Sequence, residues 1–196
     1  MDTYAYKIRE NLYINLTNRC SNRCTFCVRD QSAEYEGYSL WLKEGEPSVE
    51  QVIKAIGNPA QYKEIVFCGY GEPTYRLEAI IEISDYVHAN GGKTRLNTNG
   101  HGSLINGRNI AFELVGKLDG VNISLNAPDV ESYNTVCCPQ VEGAYEALLQ
   151  FAIDCKEAGV NCWFSVVDCI GKEQLDKCHK IAQRVGIALR VREFIG

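Results

Sequence analysis

Cys20, Cys24 and Cys27 stand in the stretch LTNRCSNRCTFCVR, residues 16–29, at the spacing C-x3-C-x2-C. Three sulfurs at that spacing surround one small volume only if the backbone curls tightly, and a metal ion or an inorganic cluster is the chemical reason for such a curl. Thiolates suit zinc and iron–sulfur centres, and both call for a fourth ligand. No fourth cysteine follows at a finger-like distance and a second C-x2-C pair is absent, so the sequence does not write a closed structural zinc site. Two arrangements remain. One is a zinc knuckle completed by a distant residue such as Cys68; the other is a cluster with three protein ligands, whose last iron is open to an outside donor as in an open catalytic zinc site.

Four other segments carry unusual chemistry. In CGYGEPT (68–74) Gly69 and Gly71 allow close backbone approach, which by itself makes a tight strand-to-loop bend. LNTNG (96–100) ends a strand in Asn-Gly turn chemistry. In NISLNAPD, Ser124 and Asn126 fall on one side of a strand and Ile123 and Leu125 on the other, so the polar pair needs a ligand or an interior hydrogen-bond network. In RVREF, Arg190 and Arg192 alternate with Val191 and Glu193, and an arginine turned inward requires an anion or carboxylate beside it. The remaining thiols read differently. Cys155 continues the stripe of Leu148 and Phe151, and Cys178 joins Leu175, Ala182 and Val185, as small core residues. Cys162 and Cys169 are an odd number of residues apart and point to opposite faces, and Cys137-Cys138 before Pro139 occupies a loop near the reactive face. His88 and His179 have surface or packing roles; His101, just past LNTNG, is the histidine able to approach the site.

The elements that must position these residues follow from periodicity. Strand-like runs alternate with helical ones: LYINL (12–16), EIVFC (64–68), KTRLN (93–97), GVNISLN (120–126), NCWFSVV (161–167) and ALRVREFI (188–195). Between them the pattern predicts helices from Ser48 to Gly57, with a capping box of Ser48 and Gln51, from Leu77 to the Asn90-Gly91-Gly92 stop, near 111–118, around 129–136, over 142–158 and over 172–185. This is the α/β signature of a partial, open-sided (β/α)6 TIM-like barrel of parallel strands, with reactive groups at the carboxyl ends of the strands. With 196 residues, 45% of them hydrophobic, the chain is expected to form one domain over 1–196, its cysteine loop spanning about 17–47. Ten cysteines without a signal peptide point to a reducing compartment, and no apolar run is long enough to cross a membrane, so a soluble cytoplasmic protein is expected. A net charge of −5 gives no broad attraction to phosphate backbones, so nucleic acid is not an expected partner.

The motif C-x3-C-x-aromatic-C after the first strand, with Phe26 in the aromatic place, resembles the cluster motif of the radical S-adenosylmethionine superfamily. The resemblance implies a [4Fe-4S] cluster on Cys20, Cys24 and Cys27, and S-adenosyl-L-methionine chelated to the open iron. GYGEPT is similar to the family's glycine-glycine-glutamate segment, which implies that Gly69, Gly71 and Glu72 receive the methionine ammonium. It further implies contacts from Asn97, with Asn99 as second choice, and from Ser124 and Asn126 to ribose or carboxylate; for Arg192, the inward-facing charge is met by a carboxylate of cofactor or substrate or by a structural pair with the neighbours of Glu193. More narrowly, NLTNRCSNRCTFCVRD, GYGEPT, SLNAPD followed by a tyrosine and Cys-Cys-Pro, and RVREF resemble the TatD-associated radical S-adenosylmethionine proteins.

What this implies is an enzyme that reductively splits S-adenosylmethionine, releasing methionine and a 5′-deoxyadenosyl radical that takes a hydrogen atom from substrate. The electron would come from a donor such as flavodoxin or ferredoxin. The short chain carries no extension after the last strand and no second cysteine-rich segment, and an open barrel admits a peptide or protein loop where a small molecule wants enclosure. Competing expectations are a glycyl-radical-type activase of a partner enzyme and a non-catalytic zinc or iron–sulfur protein.

Overall fold

A computed structural model describes residues 2–31 and 34–193. The strands are β1 (Ala5–Ile8), β2 (Asn11–Ile14), β3 (Ile65–Phe67), β4 (Thr94–Thr98), β5 (Gly120–Ser124), β6 (Cys162–Val167) and β7 (Ala188–Arg192), joined side by side in chain order. The strands β2 to β7 are parallel throughout, the six expected from the sequence, and the sheet is open rather than closed. An additional strand, β1, pairs antiparallel with β2 and was not foreseen. Its turn, Arg9-Glu10, holds Arg9 at φ 54, a conformation that hairpins ordinarily assign to Gly or Asn, so the usual signal is missing.

The helices are α1 (Val28–Gln31), α2 (Val49–Ile56), α3 (Leu77–Ala89), α4 (Gly102–Asn106), α5 (Val130–Cys137), α6 (Ala144–Glu157) and α7 (Lys172–Val185). The start of α2 is the capping box read from the sequence: Gln51 N–H donates to Ser48 Oγ at 3.3 Å and Ser48 N–H to Gln51 Oε1 at 2.8 Å. Helix α3 stops where Asn90-Gly91-Gly92 turns back, with Gly91 at φ 75 and Gly92 N–H on the Val87 carbonyl. The helix expected near 111–118 is only a 3-10 turn over Ala111–Leu114, cut short before Gly116 at φ 71. The expected extension of the last strand through Phe194 and Ile195 lies outside the described residues.

Register sorts the side chains into two faces. Ile14, Phe67, Leu96 and Val121 form one row across β2 to β5, fully buried under the helices as the main core. The intervening residues face the concave side, where Asn97, Asn122 and Trp163 form one row and Ser124, Ser165 and Arg190 the next. A polar concave wall is costly unless it serves a ligand or is paired. A second, smaller apolar cluster of Tyr6, Leu40 and Tyr70, with Tyr13, Tyr35 and Tyr38 against it, lines the β1 side of the concavity.

Candidate active site in the concave face

The cysteine loop leaves β2 at its carboxyl end and is tied down by its own polar residues. Asn18 exchanges two hydrogen bonds with the backbone of Leu42, 2.9 and 3.1 Å. Thr17 and Arg19 both bond Glu46, Arg19 at 2.7 and 3.0 Å, so residues 17–19 and 42–46 are clamped as a pair. The loop then passes directly over the Gly-rich bend after β3. Glu72 N–H donates to the Arg19 carbonyl at 2.7 Å, and a Cβ on Gly71 would run into the carbonyls of Thr17 and Arg19. The two glycines thus have an observable reason: Gly71 lets the bend touch the cysteine loop, and a Cβ on Gly69 would strike the Asn15 side chain.

Below the loop lies a buried network. Ser21 Oγ meets His101 Nδ1 at 2.9 Å, His101 Nε2 meets Tyr133 OH at 3.1 Å, and Tyr133 OH accepts from Asn22 Nδ2 at 3.0 Å. Asn99 Nδ2 donates to Ser21 Oγ at 2.8 Å. His101 is therefore a support beneath the loop, fully buried, and burial pulls its pKa down to about 4, which keeps the ring neutral. The pair Cys137-Cys138, expected in a loop, instead ends α5: Cys137 is buried and Cys138 caps the helix at φ 43.

A cavity of about 350 Å³ opens on the concave face, and every residue selected from the sequence lines it: Cys20, Cys24, Phe26, Cys27, Gly69, Gly71, Glu72, Asn97, Ser124, Asn126 and Arg192. Cys68, the alternative fourth thiol, and Asn99 line it too. Among the described residues no three His, Cys, Asp or Glu side chains are gathered closely enough to hold a single metal ion, and the three motif thiols are placed on the wall of the cavity. Burial pushes the Cys20 thiol up to about 12 and raises Cys27; Cys24 is raised first by a hydrogen bond with Cys137 and then by burial. The Arg29 guanidinium opposes this at all three thiols. Arg29, two residues past Cys27, is thus the local cation that favours thiolate, a role its position beside the motif could have suggested.

Glu72 is deeply buried, and burial raises its pKa against the hydrogen bonds it accepts. Its Oε1 accepts from Thr74 N–H, Thr74 Oγ1 and Thr98 Oγ1 at 3.1, 2.7 and 2.8 Å, while among the described residues Oε2 accepts only Asn99 N–H at 2.7 Å. Asn97 Oδ1 accepts from Arg95 Nη1 at 2.5 Å, and Arg95 in turn holds Glu64 at 2.9 Å. Three asparagines of the cavity wall, Asn22, Asn122 and Asn126, each carry a buried amide oxygen with no hydrogen-bond partner among the described residues. Asn22 and Asn122 were not singled out from the sequence; Asn122 lies two residues before Ser124 and shares its face, which is the signal that marks it. Arg190, expected to meet an anion or carboxylate, lies over the Trp163 ring at 3.9 Å from its centroid.

Solved structures with the same fold include SuiB of Streptococcus suis bound to precursor peptide SuiA, at TM-score 0.72 and 17% identity, covering 97% of this chain and 40% of that one. The structure of TYW1 with a lysine-pyruvate adduct superposes at TM-score 0.67 and 17% identity, over 95% of this chain and 65% of TYW1. Native anSMEcpe with bound AdoMet gives TM-score 0.63 and 20% identity, over 93% of this chain and 50% of that chain. Among curated proteins, GTP 3′,8-cyclase of Corynebacterium glutamicum (strain ATCC 13032) is 33% identical over 132 residues, 65% of this chain and 33% of the cyclase. That of Streptomyces coelicolor is 28% identical over 132 residues, 66% of this chain and 37% of the cyclase. The chain thus spans about a third of the length of these relatives. The profile of the Radical SAM superfamily matches residues 14–185, and the chain accordingly belongs to that superfamily of enzymes, which work with a [4Fe-4S] cluster and S-adenosylmethionine.

Proposed function

We propose that the chain is one radical S-adenosylmethionine core domain in which Cys20, Cys24 and Cys27 hold the cluster and the rest of the cavity wall holds the cofactor. The observation that supports this most is the convergence of segments distant in sequence, after β2, β3, β4, β5 and β7, on one cavity. The donor set fits. Three thiols line the cavity, and three of its asparagines hold unpartnered amide oxygens, acceptors suited to a ligand rich in hydroxyl and ammonium donors. Glu72 Oε2 keeps a lone pair beyond the one that Asn99 uses, suited to the methionine ammonium, and the backbone at Gly69 and Gly71 can be approached closely. Asn22, Asn122 and Asn126 accept from the ribose and amino groups, Phe26 packs at the cluster side, and Ser124 and Arg192 meet the carboxylate or a substrate anion. Asn97, already an acceptor for Arg95, contributes through its amide N–H.

When bound, the pair supplies reductive cleavage of the sulfonium and a 5′-deoxyadenosyl radical for hydrogen abstraction. The protein holds geometry and excludes water around it. The substrate is a peptide, a protein or a small molecule admitted at the open side, past Arg192 and Glu193. Peptide appears among the similar structures and GTP among the similar enzymes, so the resemblance carries cofactor chemistry further than substrate. The finer resemblance, to TatD-associated members of the superfamily, is the subgroup we assign, with a flavodoxin or ferredoxin as electron donor. Ten unbridged thiols suit a reducing cytoplasm, and no helix among the described residues is long and apolar enough to cross a membrane.

The test is anaerobic incubation of the iron-loaded protein with dithionite and S-adenosylmethionine. Formation of 5′-deoxyadenosine is expected, and Cys24→Ala should abolish it together with the visible cluster absorption, because two thiolates do not hold a cubane. Zinc in place of iron and sulfide, or an undiminished spectrum in Cys24→Ala, would overturn the reading.

A further inference from the structure

The two adjacent cysteines at the end of α5 have opposite surroundings. Cys138, in the left-handed cap, turns its thiol to the Thr135 carbonyl at 3.4 Å and is partly exposed. Cys137 is wholly buried and lies against the metal-binding loop. Arg23 N–H donates to the Cys137 carbonyl at 3.1 Å and Thr25 N–H to the Val136 carbonyl at 2.9 Å, so Cys24 is held between two backbone bonds directly opposite Cys137. Gln140 N–H on the Ser21 carbonyl at 2.8 Å and a bridge between Asn22 and Pro139 extend this pairing toward Cys20. The side chains come together where the backbones do, and Cys137 is the leading influence that raises the Cys24 thiol. From the other side Asn126 Nδ2 donates to Cys137 Sγ at 3.6 Å.

We infer that Cys137 is a positioning residue for the cluster, its S–H donating to the sulfur of Cys24 and thereby raising the cluster's reduction potential. The inference rests on the reading that Cys24 is a ligand. A Cys24 thiolate bound to iron can only accept a hydrogen bond, and Asn126 already occupies the acceptor side of Cys137, so the one proton between the two sulfurs belongs to Cys137. A hydrogen bond to a ligating sulfur favours the more negative, reduced state, and such bonds are among the ways a protein sets the potential of an iron–sulfur centre. Burial of the donor strengthens the effect: Cys137 is shielded from water, while Cys24 is half-buried. Asn126 holds this donor with one end of its amide and is itself a residue of the cavity wall, so the sulfur pair and the cavity share a single side chain.

The experiment is a potentiometric titration of the iron-loaded protein followed by electron paramagnetic resonance, for the parent, Cys137→Ala and Cys137→Ser, with iron and sulfide assayed in the same samples. Cys137→Ala is expected to keep full iron and sulfide while the equilibrium constant for one-electron reduction falls about tenfold, a shift of about 59 mV to more negative potential. Cys137→Ser retains an O–H donor and is expected to recover most of that shift, which a merely structural role would not produce. Full iron with an unmoved potential in Cys137→Ala overturns this inference and leaves the three-cysteine reading intact. Loss of iron from Cys137→Ala makes Cys137 a ligand and overturns both.

Discussion

At the scale of single residues, the cysteine motif proposed to hold the cluster is easier to read than the side chains that support it. Cysteine spacing has few explanations, whereas the sequence could mark His101 only as lying near the site, and Ser21, His101 and Tyr133 become a network only when the chain brings residues 21, 101 and 133 together. His101 yields a sharp prediction. Its folded pKa, about 4, lies below the ordinary 6.5 of imidazole, so its contribution is fully present above pH 6.5 and is lost as pH falls toward 4. The loss is on the order of 3 kcal/mol. Urea unfolding of the metal-free protein at steps across that window should show it, and His101→Gln, which does not titrate, should be weaker at neutral pH but flatter in its pH dependence. An unchanged pH slope in the variant would refute this account.

At the scale of elements, legibility followed the strength of local signals. Helix α7 was read at its true ends because a long amphipathic run is unambiguous, and α2 because Ser48 and Gln51 announce its start. Strand β1 was missed because its turn lacks Gly and Asn, and α4 because five residues give no period to detect. The capping box can be checked directly: Ser48→Ala should cost about 1 kcal/mol in urea unfolding, since it orphans an N–H at the first turn. Its iron content and S-adenosylmethionine affinity should stay at parental values, as Ser48 is no part of the cavity wall. Strand β5 shows the reverse case, where a period-two argument put Ser124 on the cavity face and, carried one step back, points to Asn122; Asn126, expected in the same strand, lies past its end at φ 56 and reaches the cavity from the turn.

At the scale of the whole molecule, the concave wall trades stability for binding. Asn122 Oδ1 is buried without a partner, and such an atom costs about 1–3 kcal/mol. Asn122→Leu should therefore raise the thermal midpoint of the metal-free protein, by roughly 2–4 °C for each kcal/mol recovered, while weakening S-adenosylmethionine binding measured by calorimetry on the iron-loaded protein. A variant neither more stable nor weaker in binding would show that the orphaned oxygen serves nothing. The openness of the sheet has a further consequence. A closed barrel has no rim, but here β1 and β7 each present an outer edge with no strand partner among the described residues. Exposed Lys7 lies on one rim and exposed Arg190 and Arg192 on the other, so like charge meets like when the β1 edge of one copy approaches the β7 edge of another, which disfavours extension of the sheet from copy to copy.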